Sequence, residues 1–507
     1  MHWRATLLDM RPISGPKEVR VLWVLAIVSA LLALGLGLSR IDATSLWLDE
    51  TFSVVDAQRS WGDMLVMRSD RGTAVHPPLY SMVLRSAMEV CGVNETCARL
   101  PSVLGATGSC LLLVMLAGRV FGWTSAVTSA WLWPTLPYLL KYADQARGYA
   151  LLLLLAAVVL VCAGRALGFW GAARHRRLAT WGLGLSAAAM AATHLLAATF
   201  LVPLALALVL IARYGDDDAW PCLRRALVIA AVLITPLALA VLLAVTGDDT
   251  SRFASASGAA AGLKRMAHAL VTLSEYSSTV PLLLGSAVLL VPGRRRGLVV
   301  LGLLVAVLPI TPLLVRAPAH FIVLRYFMPS VGLIGLLATA GIGALVAAPG
   351  RLPRRWTDRV PLAVLLAVGL GLGVVPSRTL GQRHAKKLRK RAQGRSFEPW
   401  DEASAWVNAR VEPDAVVVLV PHAILWPTLA VYPVDATLHT DDSETLLAYL
   451  QEHEPPKVFV LWSHVSTDER RKALHAVMRS VGRARYRPTG TETFGRKTIF
   501  AKEYTHR

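Results

Sequence analysis

Acidic residues are scarce in this sequence, with 33 Asp and Glu against 53 Lys and Arg and a formal net charge of +20. Charge of either sign is thin, at 17% of residues, and it gathers into short clusters between long apolar runs. With 54% hydrophobic residues and a mean hydropathy of +0.50, those runs exceed what a water-soluble core could bury, which excludes an ordinary soluble protein. A basic chain could suit nucleic acid, but here the Arg clusters lie between apolar spans, where they orient a chain in a membrane and meet anionic lipid heads. Membrane lipids are therefore expected partners and nucleic acid is not. Cysteine is sparse too: Cys91, Cys97, Cys110, Cys162 and Cys222 have no zinc-site spacing. Cys91 and Cys97 share one loop and read either as a disulfide in an oxidising compartment or as two thiols. There is no repeat at solenoid periods, no low-complexity tract beyond one basic run, and no phosphate loop or GxGxxG fingerprint in the tail.

What is present is a succession of membrane-length apolar runs. No convincing cleavage site follows the first, so 21–39 reads as a retained span. Further spans are expected at 101–118, 126–140, 149–167, 181–193, 195–211, 226–245, 280–291, 298–314, 327–346 and 361–375, at about 20 residues per crossing. The fold class is thus an α-helical polytopic membrane protein of about 11 transmembrane helices with a small C-terminal α/β domain. The short segment 1–20 carries Arg4, Arg11, Lys17 and Arg20 and is placed in the cytoplasm; 21–376 is the membrane domain, with a long first outer loop at 40–99.

That parity puts Arg119, the group Arg165, Arg174, Arg176 and Arg177, the group Arg213, Arg224 and Arg225, then Arg294 to Arg296, and Arg351 to Arg359 inside. It puts Asp49, Glu50, His76, Lys141, Asp144, Arg147, His194, Glu275, His320 and Arg325 together on the outer side. One basic linker, 377–395, falls outside against the charge rule; either it lies on anionic head groups there, or the short run 280–291 does not cross and the tail is cytoplasmic. The tail 396–507 alternates helical and strand patterns, with strands expected at 415–420, 458–462 and 498–501 and helices at 401–410, 443–450 and 468–480. It is expected to be extracytoplasmic.

Chemistry-bearing residues concentrate in the first outer loop. Asp49 and Glu50 follow Leu46-Trp47-Leu48, where paired carboxylates either supply a base and a metal ligand or begin an interfacial helix at the favourable end of its dipole. His76-Pro77-Pro78 holds its histidine on a stiff approach to the next helix, because each proline fixes φ and removes a donor. Lys141-Tyr142-Ala143-Asp144-Gln145-Ala146-Arg147-Gly148-Tyr149 lies between spans three and four, where Arg147 would grip a phosphate bidentately or anchor the interface. His194 and Arg325-Tyr326 occupy comparable turns.

Taken together, Leu48-Asp49-Glu50-Thr51-Phe52, His76-Pro77-Pro78-Leu79-Tyr80, Arg99-Leu100-Pro101-Ser102, Ala146-Arg147-Gly148-Tyr149, Thr193-His194 and Arg325-Tyr326-Phe327-Met328-Pro329 resemble the C-type (GT-C) membrane glycosyltransferases. The resemblance is to the bacterial relatives of protein O-mannosyltransferases and of the aminoarabinose transferases that modify lipid A. It implies an inverting transferase in the cytoplasmic (inner or plasma) membrane, multi-pass, with an extracytoplasmic active site. It also implies a polyprenyl-phosphate-linked sugar donor, with mannose the first candidate, and a lipid, glycan or protein acceptor. By the same resemblance Asp49, Glu50 and His76 are the catalytic candidates, with Asp49 as base. Lys141, Arg147, Tyr149, His194, Arg325 and Tyr326 are the candidate donor-phosphate contacts. A divalent metal ion is a candidate cofactor, with Asp49, Glu50 and His76 its candidate ligands. The tail does not match the lectin-like domains of eukaryotic protein mannosyltransferases.

Two other classes compete. A transporter or lipid flippase with a soluble tail would hold its polar residues near the bilayer midplane in broken helices and inverted repeats, whereas here they share one face and no inverted duplication is evident. A membrane scaffold built around the tail would tolerate changes at Asp49 and His76.

Overall fold

A computed structural model describes residues 12–65, 77–170, 175–213, 218–246, 287–288, 290–291, 294–307, 328–347, 399–439, 442–463, 468–494 and 499–506. His76, Glu275, His320, Arg325, Tyr326, the linker 377–395 and the expected span 361–375 lie outside the described residues. The helices in chain order are α1 Pro16–Leu38, α2 Leu48–Ala57, α3 Trp61–Leu65, α4 Pro78–Cys91, α5 Glu95–Phe121, α6 Trp123–Thr135, α7 Pro137–Ala143, α8 Tyr149–Ala166 and α9 Arg176–Thr193. They continue with α10 Ala197–Arg213, α11 Ala219–Thr246, α12 Arg294–Val307, α13 Met328–Ala347, α14 Trp400–Asn408, α15 His422–Val431, α16 Ser443–His453 and α17 Asp468–Arg483. The strands are β1 Val416–Val420, β2 Thr437–His439, β3 Lys457–Ser463, β4 Tyr486–Phe494 and β5 Ile499–His506. The chain divides into two compact units, one of Met1–Arg40, Ser60–Val83 and Arg99–Arg383, the other of Ile41–Arg59, Leu84–Ala98 and His384–Arg507.

The first unit is helical. Among the described residues five helices are long and apolar enough to cross a membrane: Pro16–Leu38, Glu95–Phe121, Tyr149–Ala166, Ala219–Leu239 and Met328–Val346. Ala197–Arg213 and Gly297–Ala306 are shorter apolar helices. Their surfaces carry Val24, Val28, Leu31, Val202, Leu206, Val228 and Val232 exposed, which water would penalise and lipid welcomes. Inside, small residues let helices approach closely. A Cβ on Gly105 of α5 would lie 3.0 Å from the Ala150 backbone of α8, and one on Gly184 of α9 would lie 2.8 Å from the Ala226 carbonyl oxygen of α11.

The continuous span expected at 126–140 is broken. Leu136 is extended, with φ −64° and ψ 116°, because Pro137 disfavours helical geometry in the residue before it and brings no N–H to the ladder. The helix therefore stops at Thr135 and restarts at Pro137, which turns Lys141 to Asp144 out of the line of α6.

The second unit contains a five-stranded sheet in the order β2-β1-β3-β5-β4, with β2, β1 and β3 parallel and β5 and β4 antiparallel. Both faces are covered. Val417, Leu419, Phe459 and Leu461 point to one face with Trp400, Val407, Leu425 and Leu429; Val416, Val418, Val458 and Val460 point to the other with Leu446, Leu450, Val477 and Val481. That double burial explains why β1 reads Val-Val-Val-Leu-Val without polar alternation. Ile41–Arg59 and Leu84–Ala98 belong to this unit as well: α2 packs on α15, with Leu48 against the Leu425 and Leu429 cluster. Tyr432, just past α15, accepts the Leu46 N–H at 2.7 Å and donates to Glu95 at 2.7 Å. Cys91 and Cys97 are joined by a disulfide.

Candidate active site

In the first unit, three of the motif segments converge on a fourth, the turn that starts α8. The Arg147 N–H bonds the Gln145 carbonyl at 2.8 Å, closing a tight turn. The Ser102 hydroxyl donates to the Arg147 carbonyl at 3.0 Å, and Tyr80 Oη lies 3.3 Å from Ser102 Oγ. Since the serine proton is committed to Arg147, the tyrosine is the donor between the two hydroxyls. Gly148 has little room for a side chain: a Cβ there would stand 3.2 Å from Thr193 Cγ2 and 3.3 Å from Tyr80 Cβ. The turn is thus clamped from the Leu79-Tyr80, Pro101-Ser102 and Thr193-His194 segments together.

The side chains on that turn form a basic, aromatic cluster. Arg147 is half-buried, its Nη2 3.5 Å from Tyr149 Oη and its Cζ 5.8 Å from that ring's centroid. Tyr149 is buried, edge-on to Tyr142 at 5.4 Å and 6.1 Å from the His194 ring. His194 Nδ1 accepts the Leu196 N–H at 3.2 Å, so the neutral ring carries its proton on Nε2 and offers a donor there. Lys141 is exposed, with Nζ 5.3 Å from the Tyr142 ring. A forked guanidinium beside a tyrosine hydroxyl and an imidazole N–H, at the positive end of an 18-residue helix, is a donor set suited to a phosphate. Sequence reasoning missed a second buttress: Arg40 and Asp144 pair at 2.9 Å, just before this turn.

Asp49 and Glu50 sit in the second unit, in the first turn of α2. The two carboxylates divide their work. Glu50 is fully buried and its Oε2 accepts the Trp47 N–H at 3.1 Å, closing the N-terminal cap of α2. Asp49 is half-buried, and its backbone carbonyl accepts the Ser53 hydroxyl at 3.2 Å. The helix-start reading of the pair therefore holds for Glu50. Among the described residues no three His, Cys, Asp or Glu side chains converge as metal ligands.

Tyr432 is a further residue that spacing did not reveal. Burial, reinforced by the negative charge of Glu95, pushes its hydroxyl well above the usual phenol value, so it stays a neutral donor.

Residues 75–243 match the family described as dolichyl-phosphate-mannose-protein mannosyltransferase. In sequence no curated protein matches the chain. In fold it is similar to ArnT from Cupriavidus metallidurans in the apo state, with a TM-score of 0.61, 14% identity, and coverage of 95% of this chain and 97% of that one. The same protein bound to undecaprenyl phosphate gives 0.58 at 13% identity, covering 96% and 98%. The arabinofuranosyltransferase AftD from Mycobacteria gives 0.54 at 17% identity, over 98% of this chain and 40% of that longer one. The segment that carries Tyr80, Ser102, Arg147 and His194 thus matches the mannosyltransferase family model, and along nearly its whole length the chain is similar in fold to ArnT.

Proposed function

We propose that this protein is an inverting glycosyltransferase that moves a sugar from a polyprenyl-phosphate donor to an acceptor hydroxyl on the extracytoplasmic face of the membrane. The observation that carries the reading is the Arg147, Tyr149 and His194 cluster, clamped by Tyr80, Ser102 and Thr193 inside the segment that matches the mannosyltransferase family. In the reaction Asp49 takes the proton of the acceptor hydroxyl as its oxygen attacks the anomeric carbon from the side opposite the phosphate. The bond from that carbon to the phosphate oxygen breaks, its electron pair stays with the departing polyprenyl phosphate, and that group gains one negative charge. Arg147 meets this charge, with Lys141, Tyr149 and His194 around it and Arg325 and Tyr326 as further phosphate contacts. Glu50 keeps the first turn of α2 in place, so Asp49 is held by a capped helix, and His76 orients the acidic pair.

Two observations support an outer location for this chemistry. The Cys91 to Cys97 disulfide suits an oxidising compartment. Ile41–Arg59 and Leu84–Ala98 of the first loop fall in one compact unit with the α/β domain, which supports a tail on the loop's side of the membrane. The family description names mannose, and mannose is the sugar to try first.

The test is transfer of labelled sugar from a polyprenyl-phosphate donor by membranes holding equal amounts of wild type and Asp49→Asn. Loss of about a hundredfold in rate is expected when a general base is removed. Donor binding without any transfer by the wild type would instead favour a flippase.

A further inference from the structure

A second feature lies at the other end of the helices that bring Ser102 and Tyr149 to the site. Arg119 follows Ser102 by about 17 residues on α5, or about 25 Å at the helical rise. Beside it a cavity of about 840 Å³ opens between α5, α8, α10, α12 and α13. Its wall is apolar, formed by side chains such as Leu116, Phe121, Leu160, Leu208, Leu301 and Leu337. The volume falls within the range of ligand pockets, roughly 300–1,000 Å³.

Among the described residues lining this chamber, Arg119 is the single charged side chain. It donates from Nη1 to the Ile13 carbonyl at 3.0 Å, and among the described residues no carboxylate pairs with it. Arg165 stands in the last turn of α8, another helix of the chamber wall, and is exposed. An arginine at the edge of an apolar chamber, with no carboxylate partner among the described residues, is matched by an anion, and guanidinium is the side chain best suited to phosphate. Trp170 marks the depth of the opening. Its ring lies over Gly164, where a Cβ would come within 2.0 Å of it, and Phe169 beside it is exposed, as aromatic residues are at head-group level.

We propose that this chamber binds an anionic glycerophospholipid of the surrounding membrane, with an acyl chain in the cavity and the phosphate on Arg119, next to Arg165. Basic pockets between transmembrane helices hold acidic lipid heads in this way. The occupant is a membrane lipid at the Arg119 end, distinct from the donor lipid at the Arg147 end.

Native mass spectrometry of the full chain, stripped of lipid in detergent, tests this with phosphatidylglycerol, phosphatidylcholine and undecaprenyl phosphate as probes. One phosphatidylglycerol per chain is expected to be retained, at least fivefold more tightly than phosphatidylcholine, and Arg119→Gln should erase that preference. Gly302→Leu supplies the second arm. A Cβ at 302 meets Leu337 at an ordinary 3.4 Å, so the longer side chain enters the chamber without a backbone clash and should weaken phosphatidylglycerol with both arginines intact. Equal binding of the two phospholipids, or unchanged phosphatidylglycerol binding in Arg119→Gln with Arg165→Gln, overturns the proposal. Displacement of phosphatidylglycerol by a stoichiometric amount of undecaprenyl phosphate overturns it too, by making the chamber part of the donor's path.

Discussion

Arg40 Nη2 stands 2.9 Å from Asp144 Oδ2, with the two side chains only 12% and 5% exposed, and this pair ties the end of α1 to the turn that carries Arg147. Removing one partner of a buried pair leaves an uncompensated charge, at roughly 3–5 kcal/mol. Asp144→Ala should therefore lower thermal stability in detergent by about 3 kcal/mol, while the double change with Arg40→Ala should lower it by less than the sum of the two single changes. Additive effects in that double-mutant cycle would show that the two charges do not couple.

Tyr432 gives a prediction whose pH dependence has a definite sign. Tyr432→Phe strips a partner from the Leu46 N–H and from Glu95, costing about 1–3 kcal/mol at neutral pH. The folded-state pKa is raised by burial and by Glu95, so the stability linked to the neutral phenol is present below the unfolded value near 10 and lost as pH rises beyond it. Denaturant unfolding of wild type and Tyr432→Phe should thus differ most near neutrality and converge above pH 10. A gap that widens with alkali would contradict the burial of a neutral hydroxyl.

Five of the expected membrane runs, and the turns marked by Pro and Gly, were legible in the sequence because both signals are short-range: apolar runs of bilayer length, and tight local turns. Partnerships at long range were not. Nothing in the pattern around Leu46 announces Tyr432, nor does the neighbourhood of Arg40 announce Asp144. The tail shows the same division. The central strands β1 and β3 are apolar and readable, whereas β4, running Tyr-Arg-Pro-Thr-Gly-Thr-Glu-Thr-Phe, is an edge strand that faces outward, tolerates Pro488, and hides its pairing with β5 behind polar residues. Helix α15 went unexpected because Pro427 sits inside it, where packing of Leu425 and Leu429 on the sheet outweighs the proline's local cost.

Gly148 tests whether the clamp on the Arg147 turn matters to transfer. Gly148→Ala brings a methyl group to 3.2 Å from Thr193 and 3.3 Å from Tyr80, a few tenths of an ångström too close, while Gly148→Val adds branches that cannot fit without moving the turn. Displacing a positioning element by about an ångström can cost on the order of a hundredfold. Transfer rates should therefore fall modestly for Ala and steeply for Val at equal protein abundance, with the loss in kcat/KM for the donor. Equal rates in all three would remove the Arg147 turn from the reaction.

Of the five cysteines, Cys91 and Cys97 are bonded to each other and Cys110, Cys162 and Cys222 are free. If the first outer loop faces an oxidising compartment, protein denatured without reductant and treated with an alkylating reagent should gain three labels, and five after reduction. Cys91→Ser with Cys97→Ser should gain three under both conditions. The count also bears on the tail, because the disulfide belongs to the same compact unit as the five-stranded sheet. Three labels before reduction would place the sheet on the oxidising side with the loop, whereas five would leave both thiols reduced and remove the compartment argument for an outer active site.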